Sequence, residues 1–267
     1  MGGEIAKEWA AEYNYTFQDT TNLSRVAQYV ALEENTQEAK RKMVDLLKRS
    51  GSPDFTNPNQ PHGVVANLPL PIYITTNYDD FMLEALKSCG RKPRPEVCKW
   101  HRVRARGSVL DRADDVDADQ LDEPTPERPV VFHLHGTWND EDSMVLTEDD
   151  YLDFLIHAHG LLPSWIERAF TDSSLLFMGY SFTDINFKVM FRKIAPYLHI
   201  SAGKLHVAVQ LDPEGDEPTA EERRRAESQR LYMEREFERL SIRIFWGTCE
   251  QFASGLRERW ESLPHGH

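Results

Sequence analysis

Cysteine is scarce in this chain, and long apolar runs are missing. Its 267 residues include three cysteines, Cys89, Cys98 and Cys249. They are too few and too scattered for a disulfide framework or for a zinc site with four cysteine ligands. No run of about 18 apolar residues occurs, and the first residues lack the basic and apolar regions of a signal peptide. We therefore expect a soluble protein of a reducing cytoplasm.

Positive charge is also in the minority. The chain has 31 Lys and Arg against 44 Asp and Glu, a formal net charge of -13. This balance argues against a surface built to bind the phosphate backbone of nucleic acids. Eight of the seventeen residues from 111 to 127 are acidic, and Pro124 and Pro126 interrupt any helix there. We expect an acidic inserted loop over residues 101–128.

The rest of the chain alternates apolar strands with amphipathic helices, after a helical first part. Such alternation is typical of an α/β fold with a mostly parallel sheet flanked by helices. We expect one domain, with a helical part over 1–60 and the sheet over 61–262. The predicted strands cover 72–76, 130–135, 175–178, 205–209 and 242–246, and the predicted helices cover 4–13, 23–34, 38–48, 80–88, 147–157, 163–171, 184–195, 219–240 and 249–262.

Three of the predicted strands end in polar residues. The first runs into Asn77 and Asp79, the second delivers His135 before Gly136, and the third stops at a small-residue turn from Gly179 to Asp184. In parallel α/β sheets, ligands bind outside the carboxyl ends of the strands. These strand ends therefore predict a ligand site.

In this order, the three strand ends resemble the sirtuin family. Thr75–Asp79 (Thr-Thr-Asn-Tyr-Asp) is similar to the sirtuin Thr-Gln-Asn-Ile-Asp, Leu134–Gly136 to the sirtuin Leu-His-Gly, and Gly179–Ser181 to the Gly-Thr-Ser turn that holds the ribose and phosphates of NAD. The second aspartate after Tyr78 and the segment Leu146–Tyr151 resemble the sirtuin-like NAD hydrolases of bacterial antiphage defence more than protein deacylases. The resemblance covers about residues 61–256 and implies a Rossmann-like fold.

The resemblance also implies a reaction and roles for individual residues. NAD+ would be the substrate, cleaved by water into ADP-ribose and nicotinamide. Asn77 would orient the ribose and the attacking water, Asp79 would bind the nicotinamide carboxamide, and His135 would act as general base. The other residues that the resemblance assigns to NAD+ binding are Thr76, Gly179, Ser181 and Asp184.

The family context adds expectations about cofactors and partners. The hydrolases deplete NAD+ in the bacterial cytoplasm during abortive infection, so a homo-oligomer and a sensor or ATPase partner protein are expected, without direct nucleic-acid or membrane binding. The two Cys-x-x-Cys pairs of the sirtuin zinc module are absent here, so no zinc is expected. The family's N-terminal Gly-Ala-Gly-x-Ser loop is also not found. A fragment, an alternative start and a degenerate member all explain that difference.

Structural interpretations of the same residues remain open. Asn77 and Asp79 are residue types that cap helices. A histidine at a strand end, such as His135, is often structural, and His133 would share a strand face with it, which makes a metal pair conceivable. Ser181 and Asp184 fit a plain helix start. The alternatives to a hydrolase are a non-catalytic domain that binds NAD, ADP-ribose or a protein partner, and an NAD-dependent protein deacylase.

Overall fold

The computed structural model describes residues 2–101, 123–157, 162–180, 191, 204–213 and 219–263. Most of the acidic insertion lies outside these residues, and so does the helix predicted over 184–195, apart from Phe191. The chain divides into two compact units. The first comprises residues 1–55 and 66–162, and the second comprises residues 56–65 and 163–267.

The first unit begins with three helices, α1 (Gly2–Glu12), α2 (Leu23–Glu33) and α3 (Thr36–Arg49). Asn22 and Asn35 begin α2 and α3, since each side chain accepts a hydrogen bond from the backbone N–H three residues ahead. The three helices are amphipathic, and their apolar faces form a shared core. This core includes Trp9, Val26, Val30 and Met43, and Tyr78 and Trp138 pack against it from the candidate site.

The sheet of the first unit contains β1 (Ile72–Thr75), β2 (Arg94–Val97) and β3 (Val130–His133), in the order β1-β3-β2. Both pairings are parallel, in agreement with the predicted parallel sheet, although β2 itself was not predicted. All four residues of the central strand β3 are buried, and the first three are apolar, as is typical of a central strand in a parallel sheet. Helices α5 (Phe81–Ser88) and α6 (Glu148–His157) follow β1 and β3 in the chain.

Strand β3 ends at His133, two residues before the predicted end. Residues 134 and 135 form a turn, and Gly136 has a φ of +84°. A Cβ atom on Gly136 would lie 2.1 Å from the carbonyl oxygen of Ser143. The strand prediction was therefore wrong at this end, because the chain bends sharply where only glycine fits.

The second unit has its own parallel sheet. Its strands are β4 (Leu176–Phe177), β5 (His206–Gln210) and β6 (Ile242–Trp246), in the order β4-β5-β6. The helices of this part are α7 (Ser164–Asp172), α8 (Ala220–Glu238) and α9 (Cys249–Ser262), and the short α4 (Pro61–Ala66) begins in it. Capping boxes at Thr219 and Thr248 begin α8 and α9. No helix in the described ranges is both long and apolar enough to span a membrane.

Candidate active site

The loop after β1 presents Asn77 to solvent. Its backbone N–H donates to Oγ1 of Thr75 at 3.0 Å, which fixes the chain just beyond the strand. The Asn77 side chain is exposed and forms no hydrogen bond with the described residues. Its amide donors and acceptor are therefore available to a ligand.

Asp79 lies two residues further along this loop and is half-buried. Its Oδ1 accepts a hydrogen bond from the N–H of Phe81, the first residue of α5, at 3.1 Å. Asp79 thus has the helix-start contact that the structural interpretation expects, while Oδ2 is not engaged by that bond. Burial raises the pKa of the Asp79 carboxyl, although the N–H of Phe81 partly opposes the shift.

His135 is enclosed by aromatic rings. Its imidazole meets the rings of Tyr151 and Phe154 edge-on, with centroid separations of 5.4 and 5.2 Å, and only 7% of the residue is exposed. This desolvation lowers the pKa of His135 to about 4, so the ring is neutral at pH 7. In the described part of the chain, His135 forms no hydrogen bond with Asn77 or Asp79.

His133 is the histidine that contacts the Asn77 loop. Its Nδ1 lies 3.4 Å from the carbonyl oxygen of Asn77, and the residue is only 2% exposed. The expectation that His133 and His135 share a strand face is wrong, because His135 lies in the turn beyond β3. No group of three or more residues of the types that ligate metals is close enough to hold an ion within the described ranges.

The loops after β1 and β3 are joined to each other by hydrogen bonds. The carbonyl of Tyr78 accepts from the N–H of Trp138 at 2.9 Å and from Oγ1 of Thr137 at 3.3 Å. Oδ2 of Asp80 accepts from Nε1 of Trp138 at 3.1 Å and from Nδ2 of Asn139 at 2.8 Å. Thr137 and Asn139 were not among the predicted site residues, although their position just after Gly136, at the end of a predicted strand, was a signal in the sequence.

A buried ion pair supports the helix that encloses His135. Lys40 Nζ lies 3.3 Å from Oδ1 of Asp150, and the side chains are 4% and 1% exposed. Oδ2 of Asp150 also accepts hydrogen bonds from the N–H groups of Leu146 and Thr147, both at 3.1 Å. These contacts connect α3 to the start of α6, the helix that carries Tyr151 and Phe154. Lys40 was missed from the sequence, where its place among the apolar positions of α3 was the only signal.

The remaining predicted residues are divided between the two units. Thr76 is half-buried in the first unit, beside Asn77. Gly179 follows β4 in the second unit with a φ of +75°, a conformation that favours glycine. Ser181 and Asp184 lie outside the described residues.

Comparison with known proteins identifies the family. A family model described as a SIR2-like domain matches residues 71–233, more than half of the chain. The chain belongs to the SIR2-like family. The family match confirms the resemblance to sirtuins that the sequence motifs indicated. Together with the parallel sheets, it also confirms the predicted α/β fold.

Curated relatives of this SIR2-like chain bear the name NAD(+) hydrolase ThsA. The protein from Acinetobacter baumannii (strain 532279) is 24% identical over 192 residues, which cover 72% of this chain and 35% of that protein. The protein from Enterococcus faecium is 25% identical over 183 residues, 68% of this chain and 34% of its own. The protein from Cytobacillus dafuensis is 26% identical over 195 residues, which cover 71% of this chain and 34% of that protein. The SIR2-like chain thus spans about a third of the length of these relatives.

Proposed function

We propose that this SIR2-like chain hydrolyses NAD+ at the bond between nicotinamide and ribose, releasing nicotinamide and ADP-ribose. The observation that carries the proposal is the exposed side-chain amide of Asn77, which has no hydrogen-bond partner among the described residues and lies two residues before the Asp79 carboxyl at the carboxyl end of β1. A second strand end, that of β3, brings His133 against this loop and is followed by His135. The relatives named as NAD(+) hydrolases support this assignment.

The chemistry of NAD+ sets what the site must supply. Nicotinamide carries a positive charge in NAD+ and leaves as a neutral molecule, so its departure needs no acid. The C1′–N bond breaks through an oxocarbenium-like transition state, and the oxygen of water forms the new bond to C1′. A polar side chain must therefore orient the ribose and the water, and we assign that role to Asn77.

His135 takes the proton that the attacking water loses. Its imidazole is neutral at pH 7, because burial lowers its pKa, and so it can accept a proton. A base this weak suffices for attack on an oxocarbenium-like centre, which is strongly electrophilic. Asp79 accepts a hydrogen bond from the nicotinamide carboxamide, while Thr76, Gly179, Ser181 and Asp184 contribute to binding the rest of the dinucleotide.

Nicotinamide release from NAD+ tests this function directly. The purified chain is compared with Asn77→Ala, His135→Ala and Asn57→Ala, where Asn57 is an exposed asparagine of the second unit. Loss of the base should lower kcat by about 10²- to 10⁴-fold, loss of Asn77 should have an effect of similar order, and Asn57→Ala should match the wild type. Full activity in both site variants would refute the assignment. Thermal stabilisation by NAD+ without nicotinamide release would indicate a binding domain instead.

We also propose a biological setting for the reaction. The chain would deplete NAD+ in the bacterial cytoplasm during antiphage defence, as a homo-oligomer with a sensor or ATPase partner. The net charge of -13 supports a partner that is a protein rather than nucleic acid. Phage plating on cells that express the wild type or His135→Ala tests the setting, and equal protection by both would contradict it. Size-exclusion chromatography of the purified chain tests the oligomer.

A further inference from the structure

Within the part of the chain that the structure describes, one ring nitrogen of His133 is not engaged by any protein group. A carbonyl oxygen only accepts hydrogen bonds, so the contact between Nδ1 and the carbonyl of Asn77 places the proton of the neutral ring on Nδ1. Nε2 is then a hydrogen-bond acceptor, and among the described residues it has no partner although it is buried. Buried acceptors are nearly always paired in folded proteins, so an unpaired one beside a candidate site points to a ligand donor.

A second acceptor lies nearby. Asp79 lies two residues after Asn77, whose carbonyl His133 contacts, and the charges of Asp80 and Asp79 both act on the His133 ring. Oδ1 of Asp79 accepts from the N–H of Phe81, and Oδ2 is not used by that bond. Burial keeps the imidazole neutral by lowering the pKa of His133, so Nε2 accepts rather than donates near pH 7, and a carboxylate oxygen of Asp79 is likewise an acceptor. A ligand group that satisfies both must carry two N–H donors close together. The primary carboxamide of nicotinamide carries two on one nitrogen.

We propose that His133 is a specificity-determining residue, whose Nε2 accepts one carboxamide N–H of NAD+ while Asp79 accepts the other. This inference rests on the proposed function and adds a residue and a selectivity to it. The site then rejects nicotinic acid adenine dinucleotide, which has a carboxylate in place of the carboxamide. That carboxylate offers no N–H to Nε2 and places a negative charge against Asp79.

Two substitutions at His133 distinguish the role of Nδ1 from the role of Nε2. In His133→Asn the side-chain amide nitrogen can occupy the position of Nδ1, so the contact with Asn77 is kept while the acceptor at Nε2 is lost. In His133→Gln the longer side chain can place its carbonyl oxygen near the position of Nε2, so the acceptor is kept. We expect His133→Asn to lower the preference for NAD+ by about tenfold and His133→Gln to retain most of it.

The experiment measures both binding and turnover with the two dinucleotides. Dissociation constants come from calorimetry, kcat/KM comes from release of nicotinamide or nicotinic acid, and thermal unfolding confirms that each variant is folded. A wild type that binds both dinucleotides equally, or a folded His133→Asn variant with unchanged preference, overturns the inference. Equal binding of the two dinucleotides by the wild type overturns the inference even where a variant does not fold.

The same data distinguish this inference from the proposed function. Selective binding of NAD+ without turnover by the wild type, with the selectivity reduced in His133→Asn, retains the role of His133 and refutes the hydrolase. Hydrolysis of both dinucleotides at equal rates retains the hydrolase and refutes the role of His133. A wild type that binds neither dinucleotide overturns both.

Discussion

Acidification should destabilise the first unit through His135. The ring is neutral in the folded chain, where desolvation lowers its pKa from 6.5 to about 4. The unfolded chain therefore binds a proton at His135 between about pH 6.5 and pH 4, where the folded chain does not. The contribution of this group to stability is fully present above pH 6.5 and is lost progressively as the pH falls towards 4.

The size of the effect follows from the two pKa values. A pKa lowered from 6.5 to about 4 corresponds to about 3 kcal/mol once the pH lies below both values. At about pH 5.5 the lost stability is about 1.4 kcal/mol relative to pH 8. His62, His133 and His206 also have pKa values lowered chiefly by burial, so the wild type should lose more than His135 alone accounts for.

The comparison of wild type with His135→Phe isolates this one residue. Phenylalanine keeps ring contacts with Tyr151 and Phe154 and does not titrate. The free energy of unfolding is measured with urea at about pH 8 and about pH 5.5, and the change with pH should be smaller in the variant by about 1.4 kcal/mol. Low protein concentration is needed because the sequence pI is about 5.2. The same pH dependence in both proteins would refute the buried, neutral state of His135.

Two further predictions concern the framework of the site. Gly136→Ala should lower the free energy of unfolding, measured by thermal unfolding, by about 3 kcal/mol or more, because its Cβ would lie 2.1 Å from a backbone oxygen. The control Gly90→Ala has a φ of +77° but open space around its Cβ, so it should lose only about 1–2 kcal/mol. Equal losses in the two variants would refute the clash at Gly136. Lys40→Met should lower the free energy of unfolding by about 3–5 kcal/mol, because it leaves the buried Asp150 carboxylate without its cation. The control Arg41→Met removes one partner of an exposed ion pair and should cost less than about 1 kcal/mol. A similarly small loss at both positions would contradict the buried ion pair.

Local patterns predicted most of the fold. The alternation of apolar strands and amphipathic helices correctly indicated parallel sheets, and β6 and α9 begin and end where the sequence predicts. Strand β2 was missed because Arg94–Val97 contains two charged residues and a proline. It forms a strand through its pairing with β3, a tertiary contact that no local pattern reveals.

The candidate site was predicted in part. Polar residues at strand ends pointed to Asn77, Asp79 and His135, and whether these residues act as proposed stays a prediction. The sequence did not reveal that His133 faces the Asn77 loop, because the turn at Gly136 changes the direction of the chain directly after β3. It also did not reveal Lys40 as the partner of Asp150, because their contact depends on how separate helices pack.

The hydrogen bonds between the loops after β1 and β3 affect the entropy of ligand binding. Tyr78 and Asp80 are held by protein groups, namely Trp138 and its neighbours, so the conformational freedom of these segments is lost when the chain folds. A dinucleotide that binds beside Asn77 does not have to order them, and more of its contact energy remains as affinity. The same bonds connect stability to ligand recognition. A substitution that loosens either loop leaves part of it to be ordered when the ligand binds, and the entropy cost of that ordering then lowers the affinity.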